Sequence, residues 1–153
     1  MTRRETRSLL KRWGRIDEEI KAQEEQYKAI CDEIDSVTDV RPQQLSGMPH
    51  VEWVKHPAED AALRLMGLKE RYADRLAEIG RKIEELERFR DRMEGAILMV
   101  NPNEEAVLRL KYEKGLTYEK VAEELNYSDV HVKRLELAAI GIITDFLEGG
   151  QHD

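Results

Sequence analysis

Residues suited to nucleic-acid contacts are concentrated in a short segment near the C-terminal end of the sequence. Thr117 and Tyr118 stand at the predicted start of one helix, where a hydroxyl and free backbone amides form a natural phosphate site. Ser128 is suited to cap the helix that follows. Near the start of this second helix, helical spacing leaves five side chains on the open face: Asp129, Val130, His131, Lys133 and Arg134. Such a face fits the major groove of double-stranded DNA.

Each residue type on this open face has a partner on DNA. Lys133 or Arg134 could bind guanine edges, and Asp129 could accept a hydrogen bond from cytosine. Val130 could contact the methyl group of thymine. His131 is a candidate phosphate or base contact, and a solvent-exposed histidine without a role is the alternative. The predicted chemistry is therefore the recognition of base edges and phosphates.

The spacing of residues 118–137 is typical of a helix-turn-helix. Ala122 stands where the two helices cross too closely for a larger side chain, and Asn126 stands at the turn, where a left-handed backbone favours glycine or asparagine. A plain three-helix bundle is the alternative. Apolar residues occupy the positions that must pack between the helices: Val121, Leu125, Tyr127, Val132 and Leu135.

The preceding elements are predicted to be helices as well. A helix over 104–114, capped by Asn103, ends before Gly115. Apolar residues recur at steps of three and four from Leu9 to Val37, except where Gln23 takes one slot, and from Ala61 to Val100. This spacing predicts two long amphipathic helices of the coiled-coil type. The pattern does not decide whether these helices pair within one chain or between chains.

The predicted fold is all-α, a long helical (coiled-coil) hairpin followed by a C-terminal helix-turn-helix bundle. Residues 1–100 would contain the long helices, with a linker at about 39–56 where Pro42, Gly47 and Pro49 break the pattern. Residues 101–148 would form the helix-turn-helix domain, and residues 149–153 a disordered tail.

Composition supports helices and argues against several functions. Of the 153 residues, 37% are charged and 6% aromatic, with only 9 Gly and 4 Pro. No apolar run has the length of a membrane span, so we expect a cytoplasmic protein without a membrane partner. The single cysteine, Cys31, and four scattered histidines predict no disulfide and no metal site. No paired nucleophile and base and no phosphate-binding glycine loop is present, which argues against an enzyme or a cofactor.

Charge is unevenly distributed along the chain. Residues 1–15 hold six basic residues and one acidic residue, whereas the net charge of the whole chain is −7. From residue 101 onward, six basic residues stand against eleven acidic ones, although DNA-binding domains usually carry a positive field. Additional affinity for DNA would have to come from dimerisation, from the arginine-rich start of the chain or from RNA polymerase. The alternative is that the helix-turn-helix binds protein.

Residues 108–140, LRLKYEKGLTYEKVAEELNYSDVHVKRLELAAI, resemble region 4 of bacterial sigma factors in their LxLxY, GLTYEKVAEEL and YSxxHVxRL blocks. The whole chain resembles the ArpU/RinA-type phage regulators of late transcription. This resemblance implies a DNA-binding regulator that reads promoter DNA with the helix starting at Ser128, with RNA polymerase as a further partner. Nothing resembles the sigma region that melts the −10 element, so an activator or accessory factor is implied.

Two other functions remain open at this point. The acidic C-terminal part and the long helices also fit a protein-interaction module without DNA contact. A phage small terminase-like DNA-packaging subunit also combines a helix-turn-helix with oligomerising helices, although in the opposite order. If the chain is the regulator or the packaging subunit, we expect a homo-oligomer formed through the coiled-coil helices.

Overall fold

The computed structural model describes residues 1–38 and 57–149, and all regular structure in these two ranges is helical. The helices are α1 (Arg3–Gly14), α2 (Ile16–Thr38), α3 (Pro57–Ile97), α4 (Pro102–Leu108), α5 (Tyr118–Leu125) and α6 (Asp129–Gly149). A short π-helical stretch, Arg109–Glu113, follows α4 directly and is named the π segment below. The all-α prediction is confirmed. The predicted linker at 39–56 lies outside the described residues.

Local sequence signals start most of these helices. Thr2 and Glu5 form a reciprocal capping box at α1, and Asn101 and Glu104 form another at α4. The predicted cap Asn103 is therefore wrong by two residues, because Pro102 occupies the first helical position and Asn101 accepts the bond from Glu104. The predicted helix over 104–114 becomes α4 and the π segment.

The chain divides into two compact units. The first, named the head unit, consists of Met1–Ile20 and the described residues from Glu85 onward, and the second, named the arm unit, is Lys21–Glu84. The boundary predicted at residue 100 lies inside the head unit, since α1 and the end of α3 pack with the later helices. In the head unit the Trp13 indole donates to Glu94 at 3.2 Å and Arg90 is 3.5 Å from Asp17, so α3 runs antiparallel to α1 and the start of α2.

The head unit has two apolar clusters. The larger joins α1, the first turns of α2, the end of α3, α4 and α6, and the smaller joins α4 to the helix-turn-helix. Gly14 permits the close approach of α1 to the π segment, because a Cβ there would lie 2.0 Å from the Tyr112 carbonyl oxygen. The largest fully buried apolar side chains are Leu10, Ile16, Met93, Ile97, Leu108, Ile140 and Ile143.

The arm unit is a pair of helices. Ile34 of α2 lies beside Leu65, Leu68 and Tyr72 of α3 in a small apolar recess, which pairs the two helices within one chain. Ile30 and Ile79 are the buried apolar residues among the described residues of this unit. In residues 1–38 and 57–149, no helix is long and apolar enough to cross a membrane.

Candidate nucleic-acid interface

The helix-turn-helix is formed by α5, α6 and the three residues between them. Asn126 adopts the left-handed conformation, with φ 56° and ψ 42°, as the turn requires. Val121, Ala122 and Val132 are buried in the smaller cluster together with Val107 of α4. Half-buried apolar residues complete this cluster: Leu110, Leu116, Tyr118, Leu125, Tyr127 and Leu135. The inward positions predicted from spacing therefore lie where two crossing helices need them.

The start of α6 presents the predicted set of side chains to solvent. Asp129, His131, Lys133 and Arg134 are exposed, whereas Val132 among them is fully buried. Val130 is 60% exposed. The exposed residues thus form one polar face with a single apolar side chain in it. The His131 ring meets the Tyr127 ring edge-on, with 4.7 Å between the ring centroids.

Ser128 and Thr117 act as helix caps. The Ser128 hydroxyl oxygen accepts from the His131 amide at 3.1 Å, and the Thr117 hydroxyl oxygen accepts from the Lys120 amide at 3.3 Å. The remaining first-turn amides of each helix point outward along its axis. Both exposed hydroxyl groups keep their own hydrogen for donation to an acceptor such as a phosphate oxygen.

Tyr118, at the start of α5, contacts α6. Its hydroxyl donates to the Glu136 carboxylate of α6 at 3.1 Å, and burial together with this bond raises the pKa of Tyr118. The Lys133 ammonium lies 5.5 Å from the centre of the tyrosine ring, and the Lys111 ammonium lies 4.2 Å from it. The ring thus lies close to two cations, one on α6 and one on the π segment.

Glu136 is a site residue that the sequence reading missed. It is 1% exposed, on the inward face of α6, where Val132 and Ala139 are also buried. The Arg7 guanidinium of α1 donates to it at 3.2 Å, while its second carboxylate oxygen is buried without a hydrogen-bond partner among the described residues. Its position four residues after Val132 places it in the apolar stripe of the helix. A carboxylate buried there needs a hydrogen-bond partner, so this position was the available signal in the sequence.

Arg109 is held away from ligand binding by acidic neighbours. Its guanidinium donates to Glu94 at 3.0 Å, Glu105 at 2.9 Å and Glu113 at 2.6 Å. Burial opposes its charge, but these carboxylates outweigh that effect and hold the pKa of Arg109 above its usual value. Three carboxylates also neutralise this cation. Arg109 stabilises the junction of α3, α4 and the π segment.

No candidate metal site occurs in the part of the chain that the structure describes, since no three potential ligands converge there. Cys31 is a half-buried free thiol on α2.

Comparison with known proteins identifies the C-terminal part of the chain. A family model described as "Sigma-70, region 4" matches residues 96–141. The match begins at the end of α3 and ends within α6, and it covers less than half of the chain. No curated protein and no solved structure matches the sequence. The resemblance of the whole chain to phage regulators stays a prediction, whereas residues 96–141 contain a helix-turn-helix domain similar to sigma region 4.

Proposed function

We propose that this protein is a DNA-binding transcriptional regulator that reads promoter DNA with the first turns of α6. The observation that supports this best is the match to sigma region 4 at residues 96–141, which includes the exposed polar face at the start of α6. An enzymatic role has no support from the described residues. Double-stranded DNA is therefore the proposed partner.

The proposed reading mechanism follows from the positions of the side chains. The start of α6 enters the major groove, where Arg134 or Lys133 binds guanine edges and Asp129 accepts from a cytosine amino group. Val130 contacts a thymine methyl, and His131 contacts a phosphate or a base. The N-terminal ends of α5 and α6, with Thr117 and Ser128, hold phosphates on either side and set the register of the protein on the duplex.

A finer proposal is an activator of phage late genes that acts with RNA polymerase in the cytoplasm. The resemblance of the whole chain to ArpU/RinA-type regulators supports it. The arm unit is proposed to carry self-association, because Tyr27, Leu63 and Met66 are apolar residues at least 41% exposed on α2 and α3. Light scattering tests this association, and a monomer at micromolar concentration would contradict it.

The decisive experiment is selection of bound sequences from a random duplex pool, with and without bacterial RNA polymerase. We expect one enriched motif, either with the protein alone or only with polymerase. Arg134→Ala should relax the preference at one position of that motif and weaken binding by about 1 to 3 kcal/mol. Lys82→Ala, which removes the same charge from an exposed position of the arm unit, is the control. Equal binding of wild type and Arg134→Ala to the best site would exclude base reading by Arg134.

A protein-interaction module without DNA contact is the second candidate. The excess of acidic over basic residues from residue 101 onward favours it. It predicts no salt-dependent DNA binding, whereas a regulator that neutralises phosphates loses affinity steeply as salt rises. A ring of many subunits in light scattering would instead favour a small terminase-like packaging subunit.

A further inference from the structure

An open cleft in the head unit collects basic side chains from distant parts of the chain. It has a volume of about 510 Å³ and lies between the junction of α1 with α2 and the end of the π segment. Four cations line it, and Glu19 is the one carboxylate in its lining. We name it the basic cleft, and its residues are Lys11, Arg12, Arg15, Glu19, Lys111, Tyr112 and Gly115.

In the described part of the chain, the cations of the basic cleft lack the acidic partners that three arginines of the head unit have. Arg7, Arg90 and Arg109 are all within ion-pair distance of carboxylates. Within residues 1–38 and 57–149, none of the four cleft cations forms an ion pair. Four cations and one carboxylate leave the lining with a net positive charge, so the cleft is electrostatically suited to an anion.

The basic cleft is continuous with the surface proposed to meet DNA. Lys111 belongs to the cleft and also lies over the Tyr118 ring, on which Lys133 of α6 lies as well. Gly115, at the edge of the cleft, is two residues before Thr117, the cap of α5. The cations therefore follow a path from the start of α6, past the start of α5, to α1.

Two contacts hold α1 in place beside this path. Gly14 has no Cβ, so the backbone of α1 can approach the Tyr112 carbonyl. The Arg7 side chain donates a hydrogen bond to the buried Glu136 of α6. The first contact joins α1 to the π segment, and the second joins α1 to α6, the helix that carries the proposed base-reading residues. The cleft cations thus have a defined position relative to α6.

We propose that the basic cleft binds the phosphodiester backbone of the duplex that α6 reads, so that α1 is a second backbone-binding element of the domain. The proposal rests on the proposed function. It explains how a C-terminal part with more acidic than basic residues can bind a polyanion, since the missing positive charge comes from the first fifteen residues folded against it. Contacts to phosphate supply affinity without sequence information.

The test is a triple variant, Lys11→Gln/Arg15→Gln/Lys111→Gln, of the full chain. Arg12 is left in place because its guanidinium packs over the Phe89 ring at 4.9 Å. Binding to the selected motif is measured as a function of salt concentration. Every phosphate that the variant no longer neutralises lowers the steepness of log K against log salt by about 0.9, so we expect a reduction of about 2 to 3 with the preferred motif unchanged.

The matched control is Lys69→Gln/Arg75→Gln/Lys82→Gln, which removes the same three charges from exposed positions of α3 in the arm unit. It should keep the wild-type slope, and circular dichroism checks that both variants fold. A cleft variant with the wild-type slope overturns the proposal. So does a cleft variant that binds DNA normally but no longer binds RNA polymerase, since the cleft would then bind an acidic protein. Failure of the wild type itself to bind any DNA sequence would instead contradict the proposed function.

Discussion

The head and arm units are built from the same kind of amphipathic helix but bury their apolar residues to different extents. In the head unit, Leu108, Ile140 and Ile143 are 0% exposed, because α1, α3, α4 and α6 surround them. In the described residues of the arm unit, the two buried apolar side chains, Ile30 and Ile79, keep 8% and 5% of their surface. When only two helices pack together, each buries one apolar stripe of the other. A third and a fourth helix are needed to enclose a side chain on all sides.

Among the described residues, the buried polar ones all lie in the head unit. The head unit buries Thr6, Glu104 and Glu136, and each of them has a hydrogen-bond partner that fixes one helix against another or caps a helix. A buried carboxylate requires its partners at defined positions, so Glu136 makes the placement of α1 specific as well as stable. The proposed recognition of bases by α6 requires side chains that are held in position, and the contacts of Thr6 and Glu136 fix α1 against α6.

The largest effect expected from this comparison is the removal of a fully enclosed side chain. Ile140→Ala in the head unit should lower the free energy of unfolding by about 2 to 5 kcal/mol, because surrounding helices cannot collapse into the cavity. Ile79→Ala in the arm unit removes the same atoms and should cost about 2 kcal/mol or less, since solvent and neighbouring side chains can fill the space. Urea unfolding followed by circular dichroism measures both. Equal decreases would contradict the difference between the units.

A smaller decrease in stability is expected where α1 meets the π segment. Gly14→Ala places a Cβ 2.0 Å from the Tyr112 carbonyl oxygen, so α1 has to move away from the domain. We expect the free energy of unfolding to fall by about 1 to 3 kcal/mol in spite of the better helix propensity of alanine. Thermal unfolding would show it. An unchanged melting temperature would mean that α1 does not pack as described.

The ion pairs of the head unit provide a third test. Arg7→Ala removes the cationic partner of Glu136, which is 1% exposed, and should lower the free energy of unfolding by about 1 to 2 kcal/mol. Arg90→Ala removes a pair with Asp17, whose side chain is 84% exposed, and should cost no more than about 1 kcal/mol. Chemical denaturation of the two variants side by side gives the comparison. A larger destabilisation by Arg90→Ala would show that burial does not decide the strength of these pairs.

The smallest effect is expected in the arm unit and has the opposite sign. Gly80 lies within α3, and a Cβ added there would meet nothing within 4 Å. Gly80→Ala should therefore stabilise the protein by about 0.5 to 1 kcal/mol, because alanine loses less conformational freedom in a helix. Its unfolding midpoint should rise while that of Gly14→Ala falls. A decrease for Gly80→Ala would reveal a contact at this position.

Much of the helix-turn-helix could be predicted because its signals are local. The spacing of Val121, Val132 and Leu135 and the left-handed Asn126 depend on residues close in sequence. The partner of Glu136 could not be assigned in this way, because Arg7 lies 129 positions earlier in the chain. The cap of α4 was missed for a local reason, since Asn101 and Asn103 both suit a cap and the adjacent Pro102 favours the first.

The sequence by itself determined that the chain is helical, that the C-terminal part forms a helix-turn-helix and which side chains of α6 are exposed. These properties follow from periodicity, capping and turn residues, which act over a few positions. Only the tertiary structure decided that the start of the chain packs on α6 and the π segment, and that Lys11, Arg12, Arg15 and Lys111 meet in one cleft. Contacts between residues about a hundred positions apart depend on the docking of whole helices, and helical periodicity contains no information about which partner a helix will choose.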